Sequence, residues 1–152
     1  MILLYRGSKN GWNIGDFHDL CDNKGATITL FKSSKGKIFG GFTSLSWESK
    51  GWFGNFGEKD NSAFLFSVSD KNTFHVTRDQ YAVCHYSNYG PYFYKGIEVT
   101  EGPMNKENAA KCQISGHYNI KALKDGNSAL TGDGAKNKNS FTIVELEVFK
   151  VI

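Results

Sequence analysis

FHDLCDNKGATITLFKSSKGKIFGGFTS, residues 17–44, is the stretch whose reading decides the fold. Trp12, Phe17, Leu20 and Cys21 recur at helical spacing, with Asn13 or Asp16 placed to cap the first turn. Gly25 stands where a helix stop wants a left-handed residue. Thr27–Lys32 and Lys37–Thr43 then read as two strands joined by SSKG, whose Gly36 suits a hairpin turn. Gly40 and Gly41 weaken the second strand unless a bulge or a close backbone approach requires them. A segment so rich in backbone signals and so poor in reactive groups points to a protein that works as a shaped surface.

The pattern continues on both sides. Ile2–Tyr5 reads as a strand followed by a polar loop, RGSKNG. Residues 45–61 form a glycine-rich loop with Trp47, Trp52, Phe53 and Phe56, so it is either folded onto the body or holds an exposed patch. Ala63–Val68, Tyr81–Tyr86 and Ile97–Val99 read as strands, and residues 101–113 as a polar loop or one helical turn. Gln113–Ile120 and Ala122–Leu130 carry weak signals, and the stretch from Asp125 to Ser140 is turn-rich.

The chain ends in its strongest strand, FTIVELEVFKVI, residues 141–152. Val144, Leu146 and Val148 fall on one face, with Glu145 and Glu147 on the other. Phe141, Ile143, Phe149 and Val151 share the glutamates' face, so its acidic middle should meet solvent, a polar partner or a buried cation. Many strands, few helices and no βαβ alternation give a mostly β (α+β) fold. The expected form is a two-layer antiparallel β-sandwich with a few short helices.

At 152 residues the chain is one domain, long enough to bury a core without disulfides or metal. Twelve Phe, seven Tyr and three Trp make that core aromatic. The net charge of +3, from 18 basic and 15 acidic residues, is too small and dispersed for nucleic acid. Cys21, Cys84 and Cys112 leave an odd thiol in any pairing. With no glycosylation sequon, signal peptide or membrane-spanning run, the expectation is a cytoplasmic protein with free thiols and no direct membrane insertion.

Candidate chemistry is sparse. His18 and Cys21 lie one helical turn apart and could activate a thiolate or begin a metal site. A second ligand pair is missing, so local packing is the stronger reading. Cys84 and His85 are neighbours on a strand and point to opposite faces. Glu145 and Glu147, about 7 Å apart, could serve as an acid/base pair, against the plainer reading of a solvated or salt-bridged strand face. No nucleophile elbow, zinc-protease or nucleotide-loop motif is present. No cofactor or metal is expected. The tyrosines Tyr81, Tyr86, Tyr89, Tyr92 and Tyr94 form the best binding-surface candidate, although core packing explains alternate members equally. Trp52 and Phe53 join Tyr89, Tyr92 and Tyr94 as surface candidates.

With these residues in hand, the chain resembles the TLDc domain family. The resemblance rests on LLYRGS at 3–8, DFHDLCDNKGATITLFKSSKGKIFGGFTSLSW at 16–47, AFLFSV at 63–68, YGP at 89–91 and FTIVELEVFKV at 141–151. Family members usually carry further sequence before the LLY strand, so the expectation is a single shortened or excised domain. The glycine-rich segment after the GP pair is reduced here to FYKGIEV, keeping Gly96 and Glu98. The resemblance implies a two-sheet sandwich, protection from oxidative stress, and binding to subunits of the vacuolar-type proton ATPase with recruitment to endomembranes. It brings no general enzyme mechanism.

Overall fold

The computed structural model describes residues 1–78, 80–119, 130–132 and 139–152. Ala122–Leu130 and the turn-rich run before Ser140 therefore lie largely outside the described residues. The elements run β1 (Ile2–Arg6), α1 (Gly7–Asn10), α2 (Ile14–Cys21), β2 (Thr27–Ser33), β3 (Ile38–Thr43) and β4 (Gly57–Lys59). They continue as β5 (Phe64–Ser67), β6 (Asn72–His75), β7 (Tyr81–Cys84), β8 (Ile97–Val99), β9 (Ala110–Cys112), β10 (Ser140–Phe141) and β11 (Ile143–Lys150).

One layer is a six-stranded antiparallel sheet in the order β1-β11-β2-β3-β5-β6. The other is built from β10-β9-β8 and the β4-β7 pair, stitched together by single bridges Val83–Phe93 and Tyr92–Glu98. The expected sandwich is what forms. Its core is aromatic: Phe141 of β10 packs edge-on at 6.3 and 5.2 Å from Phe31 and Phe39 of the large sheet. Trp47 meets Phe17 and Phe93 at 5.9 and 5.4 Å.

The glycine pair marks close approach, not a bulge, because the β2–β3 register runs unbroken through Thr29–Gly41 and Leu30–Gly40. A Cβ on Gly40 would sit 1.9 Å from the Thr29 carbonyl oxygen, and one on Gly41 would sit 2.5 Å from the Phe93 ring.

Several expectations change. Helix α2 begins after Trp12, with Asp16 accepting a hydrogen bond from the Asn13 amide at 3.0 Å. It ends at Cys21; Asn23, at φ 59°, takes the left-handed position, while Gly25 serves the following turn. The RGSKNG loop contains α1, and the 45–61 loop contains β4. The segment 101–113 carries β9. On the last strand a bulge between Ile143 and Glu145 turns Ile143 inward and leaves Val144 47% exposed. Val144 therefore does not share the inner face with Leu146 and Val148.

Asp60 closes the long loop. Its carboxylate, 5% exposed, accepts hydrogen bonds from the side chains of Thr43, Ser44 and Ser62 and from the amides of Ser44 and Ser62. Burial opposes its charge, but these donors outweigh it and hold the carboxyl below its ordinary range.

Because the obstacle at Gly40 is backbone, Gly40→Ala should destabilise the domain by about 1–3 kcal/mol. Urea unfolding monitored by circular dichroism should show the midpoint falling; an unchanged midpoint would mean that the contact is relaxed in solution.

Candidate functional site

Among the described residues, the most exposed large apolar side chains away from the chain ends are Trp52 and Phe53, at 70% and 74%. Their rings pack edge to face at 5.3 Å on a loop that carries no charge from Gly51 to Gly57. The loop is stapled to the chain after β7. Lys50 donates to the His85 carbonyl at 3.2 Å, His85 to the Phe56 carbonyl at 3.2 Å, and Ser87 to the Gly51 carbonyl at 2.6 Å. The Tyr86 hydroxyl donates to the Gly54 carbonyl at 2.7 Å. Lys50 adds a link across the stem by pairing with Glu48 and Glu58. Of the four loop aromatics, Trp47 is buried in the core and Phe56 is half-buried against Tyr86 at 5.6 Å.

From Phe56 the rings continue as a belt. Tyr86, Tyr89 and Tyr92 stand 5.2–6.1 Å from one another, Tyr92 reaches Tyr94 at 6.2 Å, and Tyr94 reaches Tyr81 and His117 at 5.8 and 5.2 Å. All five tyrosines are half-buried. The tyrosine run, open to two equal readings in sequence, follows neither a buried nor an alternating pattern; all five rings share a partly open face. Lys95 lies over the Tyr94 ring at 5.6 Å. Beside it opens a cavity of about 300 Å³ lined by Tyr92, Lys95, Gly96, Glu98, Gln113 and Ser115. Burial first, then the charge and hydrogen bond of Glu98, push the Tyr92 phenol up, so it remains a donor.

The paired candidates are placed apart from this belt or used structurally. His18 is buried, with Nδ1 2.8 Å from an Asp22 carboxylate oxygen and Nε2 2.8 Å from the Tyr89 carbonyl oxygen. A carbonyl only accepts, so Nε2 carries a proton, and the carboxylate favours a second on Nδ1. Burial works against the charge, but Asp22 and the carbonyls of Tyr89 and Tyr86 raise the pKa above its ordinary value. Asp22 also accepts from Ser49 at 2.6 Å, which places the carboxylate between histidine and serine, the wrong order for a hydrolytic triad. The His18 ring, hydrogen-bonded through both nitrogens, thus ties α2 to the turn that carries Tyr89.

Cys21, Cys84 and Cys112 are free and buried. Burial raises all three thiols, Cys84 to about 12, far from the depressed range of reactive cysteines. Glu147 pairs with Arg6 at 2.6 Å. Glu145 accepts from the Ser8 hydroxyl and amide at 2.5 and 3.1 Å, and from the Leu146 amide at 3.1 Å. These bonds outweigh its partial burial and hold its carboxyl below the usual range. The acidic middle of the last strand therefore meets polar partners and one exposed cation. His85 is 1% exposed, and neither ring nitrogen hydrogen-bonds another described group; burial lowers its pKa. Among the described residues no cluster of three metal-ligating side chains occurs, and no helix is long and apolar enough to cross a membrane.

The belt's continuity could not be read from spacing, because His117 and Phe56 join it from distant segments. The run of tyrosines between 81 and 94 was the signal for its centre. The fold, the paired glycines and the framework of α2 through β3 together define a β-sandwich of one class, and the family model for the TLDc domain matches residues 1–152. This chain belongs to the TLDc family. It is 50% identical over 66 residues to the MTOR-associated protein MEAK7 of Danio rerio, covering 43% of this chain and 14% of that protein. It is 47% identical over 55 residues to the same-named protein of Gallus gallus, covering 34% and 11%. Against that of Mus musculus it is 34% identical over 88 residues, covering 58% and 18%. The matched chain thus spans between 11% and 18% of the length of these curated relatives.

The raised His18 pKa has a signed consequence. Its contribution to stability should be complete below the unfolded value, about 6.5, and lost as pH rises through the folded value. Unfolding free energies of the wild type and His18→Gln should differ most near pH 5.5 and converge toward pH 9. A gap that widens with pH would reverse the assignment of charge.

Proposed function

We propose that this chain is a non-enzymatic protein-binding module that meets its partners through Trp52, Phe53 and the belt of Tyr86, Tyr89, Tyr92 and Tyr94. The carrying observation is the stapled loop: two rings held out by a stem whose backbone is hydrogen-bonded on both sides. Rigid, exposed aromatic side chains of this kind serve as interface anchors because little ordering entropy remains to be lost. Subunits of the vacuolar-type proton ATPase are the partners proposed from family membership. A domain that binds a detached or strained part of the pump better than the intact one shifts assembly toward the separated state. Protection from oxidative stress would follow from that control, and recruitment to endomembranes from the pump's location. The relatives' shared name, which states association with mTOR, favours a complex containing mTOR as the second reading.

The enzymatic alternatives draw no support from the placement of their residues. Cys21 is buried with a raised thiol pKa, and both nitrogens of His18 are engaged. Glu145 and Glu147 are tied to Ser8 and Arg6. A scaffold role in a larger assembly would use the same aromatic surface with different partners.

Affinity capture with the wild-type chain and with Trp52→Ser/Phe53→Ser, probed with antibodies to pump subunits and to mTOR, separates these readings. The wild type should enrich pump subunits and the variant should lose roughly thirtyfold, as for a central aromatic anchor of about 2 kcal/mol. Enrichment of mTOR without pump subunits would move the assignment to the second reading. Equal capture by both chains would remove the loop from the interface.

A further inference from the structure

The face of the six-stranded sheet that points away from the core is unusually apolar. Cross-strand register places Leu3, Phe149, Ile28, Phe42, Phe64 and His75 in a single row across all six strands. Phe42 and Phe64 stack at 5.2 Å, and Phe64 meets His75 at 5.5 Å. The next row reads Arg6, Glu147, Leu30, Gly40, Phe66 and Thr73. The opposite, buried face of the same strands carries Thr27, Thr29, Ser33, Thr43 and Ser67 among its aromatics. An outer face that carries Ile28, Leu30, Phe42, Phe64, Phe66 and Phe149 departs from the polar outer side usual for a half-solvated antiparallel sheet.

We propose that this row is a docking surface for an amphipathic helix of a partner protein, a contact separate from the Trp52 loop. The proposal deepens the protein-binding reading, on which it rests. Six strands at about 4.8 Å spacing make the row about 24 Å long, the length of about 16 helical residues. The two rows are about 7 Å apart, which suits the width of one helix. That strip is too narrow for the roughly 800 Å² per side of a standard contact between two globular copies.

The charge pattern sets the partner's flank. A depression of about 230 Å³ beside the rows is lined by Leu30, Lys32, Ile38, Glu145 and Glu147. Glu147 is occupied by Arg6, whereas Glu145 takes its hydrogen bonds from Ser8 and the Leu146 amide. A helix seated on the Phe row can therefore lay the stem of a lysine or arginine over Leu30 and Ile38 and bring its head to Glu145. Lys32, across the strands from Glu145, is the competing cation and limits the flank to one such residue.

The probe is a fluorescein-labelled helical peptide of about 16 residues, with leucines on one face and one lysine flank, titrated with the whole chain by anisotropy. Saturable binding is expected, weakened at least about tenfold by Phe64→Glu and by Leu30→Glu, a second variant in case the first unfolds. Replacing the peptide's flank lysine with glutamate should also weaken binding. No saturable binding by the folded wild type, or equal binding by both folded variants, would overturn the proposal. Self-association of the wild type that Phe64→Glu abolishes would also overturn it and assign the row to a second copy. Trp52→Ser/Phe53→Ser should bind the peptide normally. Loss of the peptide alone would leave the loop reading standing, and loss of pump capture alone would leave this one standing.

Discussion

The two layers close because a ring rests on bare backbone. Phe93, from the strip between β7 and β8, lies where a side chain on Gly41 would be, so the second layer approaches the large sheet at that point. Gly96 repeats the arrangement from the other side, where a Cβ would come within 2.6 Å of a Leu65 methyl. Interiors are close-packed, and the room left by small residues on one layer must be filled by large ones on the other. Here the small residues are the glycines with Thr27, Thr29 and Thr43 of β2 and β3, and the large ones include Trp47, Phe93 and Phe141. The core thus takes rings from both sides: Tyr5, Phe31, Phe39 and Phe74 from the large sheet, and Trp47, Phe93 and Phe141 from loops and a short strand.

That division of labour explains what could be read from residues in order. The hairpin of β2 and β3, the first strand and the long last strand have strong alternation, and their existence followed from it. The glycine pair signalled a close approach, but its partner, Phe93, is about fifty residues away in the chain, and a bulge was an equal reading. The bulge near Ile143 was invisible because alternation alone carries no mark of a slipped residue. β4, β6 and β9 are three or four residues long and held by their neighbours more than by intrinsic preference. Asn23 took the left-handed position assigned to Gly25 because an asparagine tolerates that conformation and its amide bonds the Trp47 carbonyl.

The same logic separates framework from surface among the polar residues. His18 and Cys21 share a helical face and could have formed a reactive pair, but local packing was the stronger reading. One became a ring hydrogen-bonded through both nitrogens between α2 and the Tyr89 turn, and the other a buried thiol. Asp60 attracted no notice as an isolated carboxylate, yet it gathers three hydroxyls and two amides and fixes where the aromatic loop rejoins the sheet. Buried charge in this molecule is spent on positioning loops. The tyrosine belt depends on that positioning, since His18 holds the Tyr89 carbonyl and Tyr86 holds Gly54.

A core filled from the second layer has one further effect on the first. With further rings arriving from loops, β2 and β3 carry Thr27, Thr29, Ser33 and Thr43 inward beside Phe31 and Phe39, while Ile28, Leu30 and Phe42 point outward in register. The apolar outer row and the ring-filled core are therefore two results of one packing arrangement. The tyrosine belt belongs to the layer that contains β7, on the other side of the sandwich from that row. A domain built this way presents aromatic surface on both layers while keeping His18, Asp22, Asp60, Glu145 and Glu147 engaged in structure. If both proposed contacts form, two such surfaces would let one domain touch two elements of a partner at once. Their relative placement would then matter to affinity as much as either contact alone, since the second contact forms at high effective concentration only if the geometry allows it.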